Sequence, residues 1–204
     1  MLATKNPGKI KEITKILQGT NIELFSHKEI EIPEVEETAM TFVENALLKA
    51  RSSSDVTGLP SIADDSGIEV DYLNAQPGVR SARYSGENAT NESNNKKLLQ
   101  ELEGVSFKKR AARYRCVIVF TRFKDDPFPL ISMGSWEGFI AESPRGSNGF
   151  GYDPIFFLPS LGKTSAELTD KEKNLISHRA IALKGIENFF IKQHNYKKWN
   201  IKQI

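Results

Sequence analysis

The sequence predicts a mixed α/β protein. Three observations carry this: helical and extended hydrophobic periodicities alternate along the chain, two capping boxes open helices, and Arg110–Phe123 reads as a strand with an apolar centre at Cys116–Phe120. The 204 residues suit one domain, at ~100–200 residues per domain, with a substantial core.

Leu2–Thr4 reads as the end of a short strand, followed by a turn and an amphipathic helix over about Lys9–Leu17. A second helix opens at the capping box Thr41-Phe42-Val43-Glu44, after which Val43, Ala46, Leu47 and Ala50 recur at helical spacing. Ser61–Ala63 is a short buried strand running into Asp64-Asp65-Ser66-Gly67, residue types that suit a tight turn. Ile68, Val70 and Tyr72 alternate with Glu69 and Asp71 as a half-buried strand. A Gly- and Pro-bearing loop over Asn74–Asn88 precedes a polar helix reaching Leu102. Further strands are expected at Leu130–Met133, Trp136–Ala141 and, after a loop at Ser143–Asp153, Ile155–Phe157. The second capping box, Thr169–Glu172, opens helical sequence through Phe190. Five to seven strands and three to five helices result.

Composition excludes several classes. The chain is 39% hydrophobic and 26% charged, with mean hydropathy −0.42, as in soluble globular proteins. Its longest apolar run, Cys116–Phe120, falls far short of the ~20 residues a bilayer span needs. No secretory signal is seen, and the lone Cys116 excludes an internal disulfide or a multi-cysteine zinc site. A reducing, cytoplasmic setting is expected. His27, His178 and His194 are scattered, so a bound metal is expected to be a hard cation held by oxygen. The net charge is +2, but Lys192, Lys197, Lys198 and Lys202 put +4 in residues 191–204, leaving −2 on residues 1–190. That division marks a domain over 1–190 and a basic, flexible tail.

Four segments can carry chemistry. Thr4-Lys5-Asn6-Pro7-Gly8-Lys9 brings free backbone N–H groups at a helix start together with a lysine, which suits a phosphate. It is not a Walker A loop, and an ordinary turn with a solvated lysine reads the same way. Asp64 and Asp65 can hold Mg²⁺ or serve as a general base, or simply form a turn. Glu34, Glu36 and Glu37 can add a metal oxygen or complement a helix N-terminus. The glycine-dense run Gly146–Asp153 lets backbone approach a ligand, with Phe150 placed to stack on a base. Ser177-His178-Arg179, inside helical sequence, offers donors to a base edge or phosphate, or a solvated helix face. Tyr196 and Trp199 among the tail lysines suggest nucleic acid or a solvated extension.

The order of these segments is more specific than any one of them. Thr4-x-Asn6-x-Gly8-Lys9, then Glu37…Phe42-x-Glu44-Asn45-Ala46…Lys49-Ala50, Asp64-Asp65-Ser66-Gly67, Pro77-Gly78…Ser81-Ala82-Arg83-Tyr84, Gly149-Phe150-Gly151-Tyr152-Asp153-Pro154 and Ser177-His178-Arg179 follow one another. The pattern closely resembles the inosine triphosphate pyrophosphatase family, the bacterial-type dITP/XTP pyrophosphatases, over residues 1 to about 190. The resemblance implies an elongated two-lobed fold with a long, bent mixed sheet flanked by helices and an active-site cleft between the lobes. It also implies a homodimer and Mg²⁺-dependent hydrolysis of non-canonical purine triphosphates to the monophosphate and pyrophosphate. By resemblance, Thr4, Lys5, Asn6, Pro7, Gly8, Lys9 and Lys49 hold the triphosphate, and Glu37, Asp65 and Asp64 the metal. Asp65 is the proton acceptor and Ser66 touches substrate. Phe150, Gly151, Tyr152, Asp153, Lys173, His178 and Arg179 form the nucleoside pocket.

Arg80 stands where that family often has an aromatic residue, and only three residues precede Thr4, so the first strand is expected to be clipped. The tail inherits no role. Two other readings remain: a Maf-like pyrophosphatase acting on pyrimidine or modified nucleotides, and a nucleotide- or RNA-binding module without turnover, suggested by the basic tail. The Phe150–Asp153 and His178-Arg179 segments argue against the first. A carboxylate set beside a triphosphate loop argues against the second, so no nucleic acid or membrane partner is expected.

Overall fold

β3 (Ala111–Thr121) organises the sheet. It pairs antiparallel along its length with β1 (Ser61–Val70) on one side and β4 (Leu130–Ile140) on the other. β2 (Gln76–Pro77) extends β1, while β5 (Phe156–Leu158) and β6 (Lys163–Thr164) extend β4, giving the order β2-β1-β3-β4-β5-β6 in a curled half-barrel. All six strands pair antiparallel. The parallel element of the mixed sheet is a bridge from Leu2 to Ile62, with Ala3 N–H donating to Ile62 O at 2.8 Å. The helices are α1 (Pro7–Ile16), α2 (Phe42–Thr57), α3 (Asn91–Glu101), α4 (Asp170–Ile176) and α5 (His178–Asn195). This computed structural model describes residues 1–18, 22–26, 29–30, 32 and 35–195, with side chains through 191. Glu34, His27 and the tail aromatics Tyr196 and Trp199 lie outside the described residues.

Strand alternation sorts side chains into two faces and two lobes. At one end, Ile62, Cys116, Ile118 and Phe120 face α1 and α5, meeting Leu2, Ile13, Leu17, Leu183 and Ile186. The alternate residues Ala63, Val117 and Val119 face Ala46 and Ala50 of α2. At the other end, Ile68, Val70, Tyr114 and Trp136 pack with Leu98 and Leu102 near α3 and with Tyr152, Ile155 and Phe156. The cores are tight: truncating the fully buried Ile118 to alanine would cost roughly 2–5 kcal/mol. Between the lobes lies Asp64–Gly67.

The structure corrects several local expectations. Asp64–Gly67 is not a turn but the middle of a single strand, because each of its residues pairs with β3, from Asp64↔Ile118 to Gly67↔Arg115. Tertiary pairing overrides local turn preference here. Gly67 stands there because a Cβ would collide with the Gly78 carbonyl oxygen and the Ser81 hydroxyl. Tyr72, expected to continue the strand, lies in a 3₁₀ turn over Asp71–Leu73. The two strands expected before Ala141 are one; Gly134 does not interrupt β4 but admits the His178 carbonyl of α5 against it. α1 begins two residues early because Asn6 caps it and Pro7, at its first position, needs no hydrogen bond. Ser177 is extended (ψ 158°) and divides α4 from α5, so His178 and Arg179 form the first turn of α5.

Candidate active site

Between the Leu2 bridge at Ile62 and β2 at Glu69, no strand among the described residues pairs with the outer edge of β1. A cleft of about 680 Å³ lies there, lined from both lobes. Side chains reach it from opposite sheet faces. Asp64 points towards α1 and α5, Asp65 towards α2, and Ser66 back towards α5, in keeping with a two-residue repeat. The adjacent aspartates therefore do not form one carboxylate pair.

At the start of α1, Asn6 Oδ1 accepts from the N–H groups of Gly8 (2.9 Å) and Lys9 (3.2 Å). The backbone donors expected to be free are thus occupied, and Pro7 has none. Capacity for an anion falls to side chains: Thr4, Lys5, Asn6 and Lys9 line the cleft. Gly8 has a packing role, since a Cβ there would lie 2.7 Å from the Phe150 ring. Lys9 Nζ sits 3.0 Å from Asp64 Oδ2, and Arg179 Nη2 lies 3.3 Å from the same oxygen. Burial pushes the Asp64 carboxyl up, but Lys9, Arg179 and Lys49 outweigh it and hold the group well below the ordinary carboxylate range.

α2 supplies the opposite cation. Lys49 Nζ lies 2.6 Å from Glu37 Oε1 and 3.3 Å from Asp65 Oδ1. Its burial would lower the ammonium pKa, yet Asp64, Asp65 and Glu37 raise it. For Asp65, burial is the leading cause of an upward shift, reinforced by Glu37 against the pull of Lys49. Two neighbouring carboxylates are thereby set apart: Asp64 is a fixed anion, and Asp65 a better proton acceptor.

The far wall holds the remaining residues. Gly149 and Gly151 adopt positive φ (76° and 63°) and turn the loop so that Phe150 faces the cleft. Asp153 anchors that loop, accepting from Phe150 N–H (2.8 Å), Ser165 Oγ (2.9 Å) and Lys173 Nζ (2.6 Å). Tyr152 is buried and its hydroxyl donates to Ser81 O at 2.8 Å. Lys173 Nζ lies 4.9 Å from the Phe150 ring centre and Arg179 Cζ 5.8 Å. His178 stacks on Tyr114, centroids 4.5 Å apart and planes 6° apart. Burial, then Arg179 and Lys173, lower its pKa well below the ordinary value, so it stays neutral. Its Nδ1 has no partner among the described residues.

Sequence comparison matches the profile of the Ham1 family to residues 1–189. This chain is a member of the Ham1 family. It is 53% identical over 184 residues to a dITP/XTP pyrophosphatase of Escherichia coli O157:H7, covering 90% of this chain and 93% of the relative. A dITP/XTP pyrophosphatase of Thioalkalivibrio sulfidiphilus is likewise 53% identical, over 90% and 94%. Among solved structures, a HAM1 protein from Coxiella burnetii superposes with TM-score 0.87 at 46% identity, over 94% and 97% of the chains. The Staphylococcus aureus Ham1 protein gives 0.83 at 39%, over the same shares.

In this Ham1 protein, Glu12 is the charged residue sequence reasoning missed. It pairs with Arg179 and lies 3.0 Å from Lys173. Its place inside an amphipathic helix gave no signal beyond an ordinary solvated face. Arg80, the departure from family pattern, is exposed. A divalent cation fits one part of the site. No group of three His, Cys, Asp or Glu among the described residues is arranged to hold a metal. Mg²⁺ needs only one or two carboxylates beside phosphate oxygens and water. Glu37 and Asp65 already share one cation, Lys49, and both line the cleft. Asp64, by contrast, is bound to Lys9 and Arg179 and does not line it. No helix among the described residues is long and apolar enough to cross a membrane.

Proposed function

We propose that this chain hydrolyses dITP, ITP, XTP and dXTP at the α–β phosphoanhydride, releasing the nucleoside monophosphate and pyrophosphate. Mg²⁺ is the cofactor, held by Glu37 and Asp65. The observation that carries the reading is the cleft, where a raised-pKa carboxylate lies among lysines suited to polyphosphate, opposite an aromatic wall. The relatives' shared name supplies the substrate class. Residues 1–190 form the catalytic unit, as a cytoplasmic homodimer acting on a small nucleotide without a nucleic-acid or membrane partner.

Lys9 and Lys49 stabilise the charge of the triphosphate, with Thr4, Lys5 and Asn6 beside them. When bound, Mg²⁺ supplies charge stabilisation on the phosphate oxygens. Asp65 accepts the proton of the attacking water as its oxygen bonds to the α-phosphorus. The α–β bridging bond breaks and pyrophosphate leaves. Asp64 holds Lys9 and Arg179 in place and is assigned no metal contact, a revision of the role implied by resemblance. Ser66, which accepts from Arg179 Nη2 at 2.9 Å, touches substrate alongside it.

Phe150 stacks on the base, with Gly151 and Tyr152 shaping the loop and Asp153 and Lys173 bracing it. Arg179 and the neutral His178 face the purine edge. A 6-keto purine offers an acceptor to Arg179, whereas adenine presents an amino donor, at ~1–3 kcal/mol for a donor left unpaired. Product identity tests the bond assignment. Incubating protein, Mg²⁺ and dITP is expected to yield dIMP and pyrophosphate in equal amounts from the first turnover. Formation of dIDP and phosphate would overturn it.

A further inference from the structure

Asn45 belongs to the Phe42-x-Glu44-Asn45-Ala46 segment, and no role described above uses it. It is fully buried in the second turn of α2. Its Oδ1 accepts from Ala39 N–H at 3.0 Å, while its Nδ2 lies 3.4 Å from Ala39 O and 3.3 Å from Asp65 Oδ2. Lys49, four residues on and therefore on the same helix face, lies 3.3 Å from the other Asp65 oxygen, Oδ1. One stripe of α2 thus grips both oxygens of Asp65.

The same two residues fix the segment that carries Glu37. Lys49 holds the Glu37 side chain, and Asn45 holds the Ala39 backbone through both its N–H and its carbonyl. The stripe is itself anchored, because Thr41 and Glu44 close a capping box on the first turn of α2. An amide suits position 45 for a reason of chemistry. It offers an acceptor to Ala39 N–H and a donor to Asp65 together, which neither a carboxylate nor an aliphatic side chain can do.

We propose that Asn45 is a positioning residue that sets the rotation of the Asp65 carboxylate and its distance from Glu37. The inference rests on Asp65 and Glu37 being the reactive and metal-holding carboxylates. Without the Asn45 side chain, Asp65 keeps Lys49 alone and turns about that contact, and the Glu37 segment loses its hold at Ala39, keeping the Arg83 Nη2 donation to Glu37 O at 2.9 Å. Partners that orient metal-binding carboxylates typically contribute roughly 10–100-fold to activity or metal affinity.

The test compares Asn45→Ala and Asn45→Asp with wild type, using dITP and Mg²⁺. Asn45→Ala is expected to lower kcat roughly 10–100-fold with KM for dITP changed by less than about threefold. Asn45→Asp keeps the acceptor for Ala39 N–H but sets a second carboxylate against Asp65, so it is expected to lose more. A residue that merely held the Ala39 loop would give the opposite order. The proposal is overturned if Asn45→Asp is the more active of the two, or if Asn45→Ala matches wild type. Should Asn45→Ala fail to fold, Asn45→Ser carries the same expectation with a smaller cavity. Calorimetric Mn²⁺ binding to nucleotide-free protein separates this proposal from the reading it rests on. Asn45→Ala is expected to weaken it roughly 10–100-fold, whereas equal affinities, or no binding by wild type, overturn the proposal. A wild type that binds Mn²⁺ but leaves dITP intact instead overturns the hydrolase reading.

Discussion

Glu12 and Arg179, 167 residues apart, form an ion pair that ties helix α1 to helix α5. The same glutamate reaches Lys173, and Arg179 continues to Asp64 and so to Lys9. Charges alternate along this path, with Lys9, Lys173 and Arg179 lining the cleft and Glu12 and Asp64 outside its lining. Each cation on the path is fixed by an anion, and each anion is neutralised by a cation.

Glu12→Gln keeps the shape and removes the charge. Asp64 and Asp153 still face Arg179 and Lys173, so the cost is expected at roughly 1–3 kcal/mol rather than the larger penalty of an isolated broken pair. Urea unfolding of variant and wild type measures it. Unchanged stability would mean that the pair contributes nothing net.

Asp65 is expected to titrate above the ordinary value of 3.8 in metal-free protein, because burial and then Glu37 disfavour its charge. A ¹³C carboxyl titration reads this directly. Glu37→Gln removes the like charge and should move the midpoint down. A midpoint at or below 3.8 in wild type would remove the basis for Asp65 as proton acceptor. Asp65→Asn should lower kcat by roughly 10²–10⁴ while the protein remains folded.

His178 gives stability a defined pH dependence. An unfolded histidine binds a proton near pH 6.5, whereas folded His178 does so only well below that. The unfolded state therefore takes up protons first as pH falls, and stability present above pH 6.5 is lost below it. His178→Phe should flatten the change in unfolding free energy between pH 7 and 5.5, by at most about 1.4 kcal/mol per pH unit. The same slope in variant and wild type would contradict a neutral buried His178.

Gly134→Ala tests how α5 is seated. A Cβ at Gly134 would strike the His178 carbonyl and press on Ala182 N at 2.8 Å. Since the obstruction is backbone, the helix start must shift. A loss of about 1–3 kcal/mol is expected, together with raised KM for dITP as His178 and Arg179 move. Unchanged KM would detach the base wall from that contact.

Much of the architecture was legible because its signals are local. Thr41–Glu44 and Thr169–Glu172 close capping boxes where their spacing indicates, and the apolar centre of β3 fixes the middle of the sheet. The alternating ladder β1–β3 was not legible at Asp64–Gly67, where turn-forming residue types compete with pairing partners distant in sequence. The site shows the same division. Its ordered motifs identify the residues that line the cleft, but not which carboxylate faces which way. That depends on strand parity, and parity is hidden when a strand is read as a turn. Glu12 gave no signal, and Asn45 stood in a motif without a role, for a related reason: each acts only through partners that folding brings to it.

The central claim is selection of non-canonical purines by this cleft. The most direct measurement is Mg²⁺-dependent pyrophosphate release, as kcat/KM, from dITP, XTP, dATP, dGTP and UTP under one set of conditions. We predict that dITP and XTP exceed dATP by at least about tenfold, the discrimination one or two mismatched polar groups provide, and that they also exceed dGTP, whose shared 6-keto group leaves only its 2-amino group to be rejected. Comparable turnover of dATP or dGTP, or faster release from UTP, would contradict it.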